Sequence, residues 1–256
     1  MITAILYLLA IIVAETITVY VQPLWGIGCH FVILVAVILQ SALDTDYPYR
    51  PLLLSLALVP SVRIISLSMP LASIPQIWWY PITYAPLLAA AIVVMRLLSY
   101  RSDQVGLTFK WFPVQLVVAL TGVLFGVAEY IILTPEAMVN ELAWQEAWLP
   151  ALIFVLCTGF VEEFIFRGVL QRSAVDAFGG LGIVYVSLLF AILHMGFLSW
   201  IDVTFVFIVA LFFGWVVKKT ESLLGVTLSH GITNIVLYLV APAFVNLLPQ
   251  QLLPLL

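Results

Sequence analysis

The chain is a succession of long apolar runs separated by short polar breaks. The runs fall at about 2–20, 24–42, 51–69, 76–98, 113–133, 148–168, 181–198, 202–217 and 222–245. An α-helix rises 1.5 Å per residue and the hydrocarbon core of a bilayer is about 30 Å thick, so roughly 20 apolar residues cross it. The runs are continuous, whereas a membrane β-barrel needs alternating segments of about ten residues. The pattern predicts an all-α, polytopic transmembrane helical bundle of eight or nine spans. The first run has no basic segment before it and no small-residue cleavage site, so it reads as a retained span and not a signal peptide.

The breaks refine this picture. Connections are short except at 99–112 and 134–147. The second of these opens with Thr134-Pro135-Glu136, like a capped helix with proline at its first position. Its Met138, Leu142, Trp144 and Trp148 predict a helix lying in the membrane interface. Pro60, Pro81 and Pro86 fall inside the third and fourth runs and predict kinks there. Basic residues cluster in alternate connections: Arg96, Arg101 and Lys110, then Arg167 and Arg172, then Lys218 and Lys219. The intervening breaks carry Glu136, Glu141, Glu146 and Asp202 instead. The positive-inside rule then predicts a multi-pass protein of the cell membrane, with the N-terminus cytoplasmic and the C-terminus outside.

Composition closes off other classes. Of 256 residues, 64% are hydrophobic and 9% charged, with a mean hydropathy of +1.21. A soluble domain is about 25% charged, so this chain has too little polar surface to face water all round, and its expected partner is the lipid bilayer. The net charge of −4 leaves no basic patch for nucleic acid. Cys29 and Cys157 lie in apolar runs without a CxxC spacing and read as packed thiols. No repeat, low-complexity tract or second soluble domain is apparent.

Against this background, ionisable residues inside the runs stand out, since each costs roughly 2.5–3.5 kcal/mol in the membrane on insertion scales. They concentrate in three places. Glu162-Glu163-Phe164-Ile165-Phe166-Arg167 contains Glu163 and Arg167 at i and i+4, in the favoured order for an ion pair. Glu162 is rotated about 100° away and lacks a local cation, which suits a general base. Phe190-Ala191-Ile192-Leu193-His194 puts an imidazole deep in the seventh run. His230-Gly231-Ile232-Thr233-Asn234 puts an imidazole and a carboxamide one turn apart on one face, as a pair of donors for an oxyanion. Each has a plain alternative: a charged helix end at the headgroups, a packing histidine, or hydrogen bonds between helices. Together, Glu162, His194 and His230 lie about 9 to 18 Å from the cytoplasmic ends of three spans at 1.5 Å per residue. Base, imidazole and paired donors are the parts of a hydrolase that activates water against an amide. Ser229 beside His230 is a poor nucleophile–base pair, because i and i+1 do not face each other on a helix. Elsewhere, Glu15, Arg63 and Glu129 fall toward the outer ends of their spans. Arg63 is expected to pair with Glu15 or Glu129, and His30 to pack or to lie at the interface.

Glu162-Glu163-xxx-Arg167, Phe190-xxx-His194 and His230-xxx-Asn234, in this order on successive apolar segments, resemble the CPBP family. That family includes the type II CAAX prenyl endopeptidases and the bacteriocin-processing and immunity proteins. The resemblance covers roughly residues 110–245. It divides the chain into N-terminal spans over 1–110, of unassigned role, and an intramembrane protease core over 111–248. It implies a glutamate-dependent intramembrane endopeptidase in which Glu162 and His194 activate water and His230 with Asn234 forms the oxyanion hole. Glu163 and Arg167 would support the site through their ion pair, with Phe190 beside them. No cofactor is implied, and the substrate would be a prenylated CAAX C-terminus, a leader peptide or another membrane-associated peptide. Two other readings compete. One is a zinc protease with His194, His230 and Glu162 as ligands, although HExxH is absent. The other is a non-catalytic bacteriocin-immunity or scaffold protein of the same fold. A transporter ranks behind both, since broken helices with glycine at unwound sites are not evident.

Overall fold

The computed structural model describes residues 2–43, 49–139 and 141–247. The end of the expected core at residue 248 lies outside the described residues. Among them there is no strand, and nine helices account for the nine apolar runs. These are α1 (Ile2–Tyr20), α2 (Pro23–Leu43), α3 (Tyr49–Ser68), α4 (Gln76–Leu97), α5 (Phe112–Leu133), α6 (Trp144–Phe178), α7 (Leu181–Phe197), α8 (Trp200–Thr220) and α9 (Leu224–Phe244). All but α7 are long and apolar enough to cross a bilayer. The protein is a multi-pass membrane protein.

Proline explains most departures from the expected boundaries. In α3 the helix breaks at Ala57, between Tyr49–Leu56 and Leu58–Ser68. Pro60 has no N–H to offer the Leu56 carbonyl and its ring crowds it. α4 is unbroken at its prolines. Pro81 falls in the first turn of Trp79–Leu97, where no partner is missed, and the helix runs on through Pro86. Among the described residues, the expected interfacial helix over 134–147 does not form as a separate element. Thr134 ends α5 in the left-handed conformation, and Pro135 behind it acts as a stop and not a start. The connection is laid over α9, with the Met138 N–H donating to the Tyr238 carbonyl at 3.0 Å. Trp144 and Trp148 belong to α6 itself.

The long helix α6 organises the bundle. It has 35 residues, about 52 Å at helical rise, and packs against α4, α7 and α9, while α9 also lies along α5. Close approach of α6 and α9 depends on two glycines. A methyl on Gly159 would lie 2.6 Å from the Thr227 carbonyl oxygen, and one on Gly231 would lie 2.8 Å from the Val155 Cα. Small residues of this kind let membrane helices approach to backbone contact.

Seven of the nine Lys and Arg residues (Arg50, Arg96, Arg101, Lys110, Arg172, Lys218 and Lys219) occupy one end of the bundle. Cross-links between helix ends establish that these are one face. Lys110 pairs with Glu221, Tyr100 bonds Ser173 at 3.0 Å, and Tyr49 meets Phe178 ring to ring. The opposite face carries Glu136, Glu141 and Glu146. The remaining two cations, Arg63 and Arg167, are inside the bundle, and both are paired.

Candidate active site

Six of the seven residues singled out in the sequence line one cavity of about 240 Å³: Glu162, Arg167, Phe190, His194, His230 and Asn234. The seventh, Glu163, is fully buried behind the wall. Its Oε1 accepts from Arg167 at 3.1 Å, as the i, i+4 spacing requires, and also faces His230 Nδ1 at 2.8 Å. The second contact is not readable from spacing. It makes Glu163 the group that orients His230, because a carboxylate acceptor fixes the proton on Nδ1. His230 Nε2 then points at Glu162, with 3.8 Å to Oε2, too long for a direct hydrogen bond.

The other groups are held as firmly. His194 Nδ1 lies 3.2 Å from the Phe190 carbonyl, which can only accept, so Nδ1 carries the hydrogen and Nε2 is the open nitrogen. Asn234 donates one amide hydrogen to Thr158 Oγ1 at 2.8 Å and keeps a second. Phe190 packs edge-on to Phe166, with the Arg167 guanidinium 4.3 Å above its ring. This cation–π contact gives the buried cation a second favourable neighbour.

Backbone winding departs from α-helix where these side chains emerge. Phe154–Glu162 and Phe164–Leu170 of α6 are π-wound, as is Val236–Val240, two residues past Asn234. His194 lies in a 3₁₀ turn, Leu193–Phe197, that ends α7. π segments occur frequently at functional sites. The wider winding re-aims side chains that a uniform 100° step would misplace.

Three contributors come from outside the motifs. Tyr84 on α4 donates to Glu162 Oε1. Thr158 lies one turn before Glu162 on α6 and receives Asn234. Arg63 on α3 bonds the Leu193 carbonyl beside His194. It is fixed from behind by fully buried Glu15, 2.7 Å away, which is also 2.9 Å from His30 Nε2. Of the two partners expected for Arg63, the structure selects Glu15. Glu129 lines the cavity instead. The spans before residue 110 thus supply wall and support. The only advance signal for Tyr84 is an aromatic hydroxyl one turn after Tyr80 in an apolar run. Cys29 and Cys157 are free and half-buried.

Among the described residues, no three His, Cys, Asp or Glu side chains gather as a metal-ligand group. His230 Nδ1 and His194 Nδ1 both face protein acceptors, which leaves one open nitrogen on each ring.

Residues 142–236 match the family model described as type II CAAX prenyl endopeptidase Rce1-like. The matched segment contains all seven residues of the three motifs. No curated protein and no solved structure matches the chain.

Proposed function

We propose that the protein, whose residues 142–236 match the Rce1-like type II CAAX prenyl endopeptidase model, is an intramembrane protease that hydrolyses a peptide bond with water activated by Glu162 and His194. The observation that carries this reading is the convergence of Glu162, His194, His230 and Asn234, from three helices, on one cavity.

In this mechanism a water between Glu162 and His194 gives its proton to the Glu162 carboxylate as its oxygen attacks the scissile carbonyl. Charge develops on the carbonyl oxygen. The His230 Nε2–H and the free Asn234 amide hydrogen stabilise it. A His230 that donates through both nitrogens is an imidazolium. With Arg167 it makes two cations against the Glu162 and Glu163 carboxylates, so the cluster is neutral before attack. The tetrahedral intermediate collapses with cleavage of the C–N bond, and the departing amine takes the proton from Glu162. No acyl-enzyme forms and no metal is required. The substrate class is a membrane-associated peptide, with a prenylated C-terminus as one member.

Purified full-length protein assayed against a peptide library is the test. Glu162→Gln is expected to abolish cleavage while the protein still inserts and melts cooperatively, because an amide cannot take the proton from water. Activity within tenfold of wild type overturns the role of Glu162. Dialysis against a strong zinc chelator is expected to leave most of the activity. Loss restored specifically by zinc would make His194, His230 and Glu162 ligands instead.

A further inference from the structure

The charged groups around the cavity are matched with one exception. Arg63 is paired with Glu15, Arg167 with Glu163, and the Glu162 carboxylate faces His230. Glu129 on α5 is the exception: it lines the same cavity and is only 8% exposed. Among the described residues it has no hydrogen-bond or ion-pair partner. Asp202 adds to the imbalance. It continues the stripe of α8 that holds the cavity-lining Val206, Val209 and Phe213. It is fully buried, and neither of its carboxylate oxygens has a partner. The wall thus holds two carboxyl groups without a cation to match them. Burying such groups unpaired is unfavourable, and only Glu129, which lines the cavity, can be relieved by a ligand.

The packing of α5 on α9 sets Glu129 relative to the reacting groups. The two helices run parallel, with Gly122 against Ser229 and Gly126 against Thr233. The same register puts Glu129 level with Tyr238, one turn or about 5.4 Å beyond Asn234. An extended peptide advances about 3.3–3.6 Å per residue. For a peptide laid along α9, Glu129 therefore stands beside a side chain one or two residues from the bond held at Asn234. Phe125, one turn before Glu129, meets Phe205 edge to face at 6.3 Å, and both line the cavity with Val206. Apolar walls with a carboxylate among them suit a long side chain that has a methylene stem and a cationic head.

We propose that Glu129 is a specificity-determining residue, selecting substrates with lysine or arginine one or two residues from the scissile bond. The ammonium or guanidinium makes a charge-assisted hydrogen bond to the Glu129 carboxylate, whereas a substrate carboxylate meets like charge there. The scissile bond rests on the protease reading, but the binding of a basic side chain at Glu129 does not depend on catalysis.

The test uses full-length protein in lipid nanodiscs and a leucine-rich membrane peptide in which each position in turn is lysine, norleucine or glutamate. Binding is measured on Glu162→Gln protein and cleavage on the parent. At the favoured position lysine is expected to bind at least about tenfold more tightly than norleucine, and glutamate more weakly than either. Adding Glu129→Gln should bring the lysine and norleucine peptides to within about twofold of each other. Glu129→Lys should turn the preference toward glutamate, which a general loss of affinity would not do. No lysine preference at any position, or one that survives Glu129→Gln in protein that melts cooperatively, overturns the inference. So does a favoured lysine more than two residues from the mapped cut, a result that needs no Glu129 variant. Cleavage by the parent separates the two readings. A lysine preference that depends on Glu129, without cleavage, leaves the specificity site and removes the protease reading; cleavage without the preference does the opposite.

Discussion

Tyr84 reaches Glu162 from a helix that lies outside the segment matched by the family model. A hydrogen bond to a charged group contributes about 1.5–3 kcal/mol, or roughly 10- to 100-fold in rate where it orients the reacting form. Tyr84→Phe is therefore expected to lower kcat/KM by about that factor in protein that still melts cooperatively. A rate within twofold of wild type would leave Tyr84 as wall only. Asn234 tests the oxyanion assignment. Loss of one such donor costs on the order of 10²–10³ in kcat, so Asn234→Ala should fall in that range with little change in KM. A destabilised variant of normal kcat would make Asn234 a packing residue. Glu163 differs from both, because it holds Arg167 and His230 at once. Glu163→Gln is expected to lower both the melting temperature and the rate, whereas Glu162→Gln lowers the rate alone.

At the scale of elements, the site depends on how closely α6 and α9 cross and on how α7 is held. Gly231→Ala puts a methyl 2.8 Å from the Val155 Cα, and backbone atoms cannot turn aside. The helices must separate, at a cost of about 1–3 kcal/mol. Thermal melting and cleavage should fall together, since separation lengthens the Glu163–His230 contact. The 3₁₀ turn that carries His194 is tied to α3 by Arg63, and Arg63 to α1 by Glu15. Breaking a buried ion pair from one side costs about 3–5 kcal/mol. Glu15→Gln is expected to destabilise by about that amount, and the double change with Arg63→Met by less, because no charge is then left alone. Equal losses in the single and double variants, by melting, would show that the pair is not the source.

Across the whole molecule, the class of fold was legible because hydropathy is a local property. Nine apolar runs appear as nine helices, and their composition leaves the bilayer as the only suitable solvent. The motif residues were legible for a related reason. Glu162, Glu163, Arg167, His194 and His230 are expensive inside such runs, so position alone marks them. Spacing along one helix also foretold the Glu163–Arg167 pair, found at 3.1 Å. It could not foretell that Glu163 faces His230 on another helix, that Arg63 takes Glu15 and not Glu129, or that Tyr84 reaches Glu162. Those contacts join residues far apart in the chain, and helix packing decides them. Proline marked the break in α3 but misdirected the reading of 134–147, since the same residue starts one helix and stops another according to what precedes it. Winding and the cavity were likewise set only in the tertiary structure. Where α6 adopts π turns depends on the helices packed around it, and a cavity exists only once its walls have met.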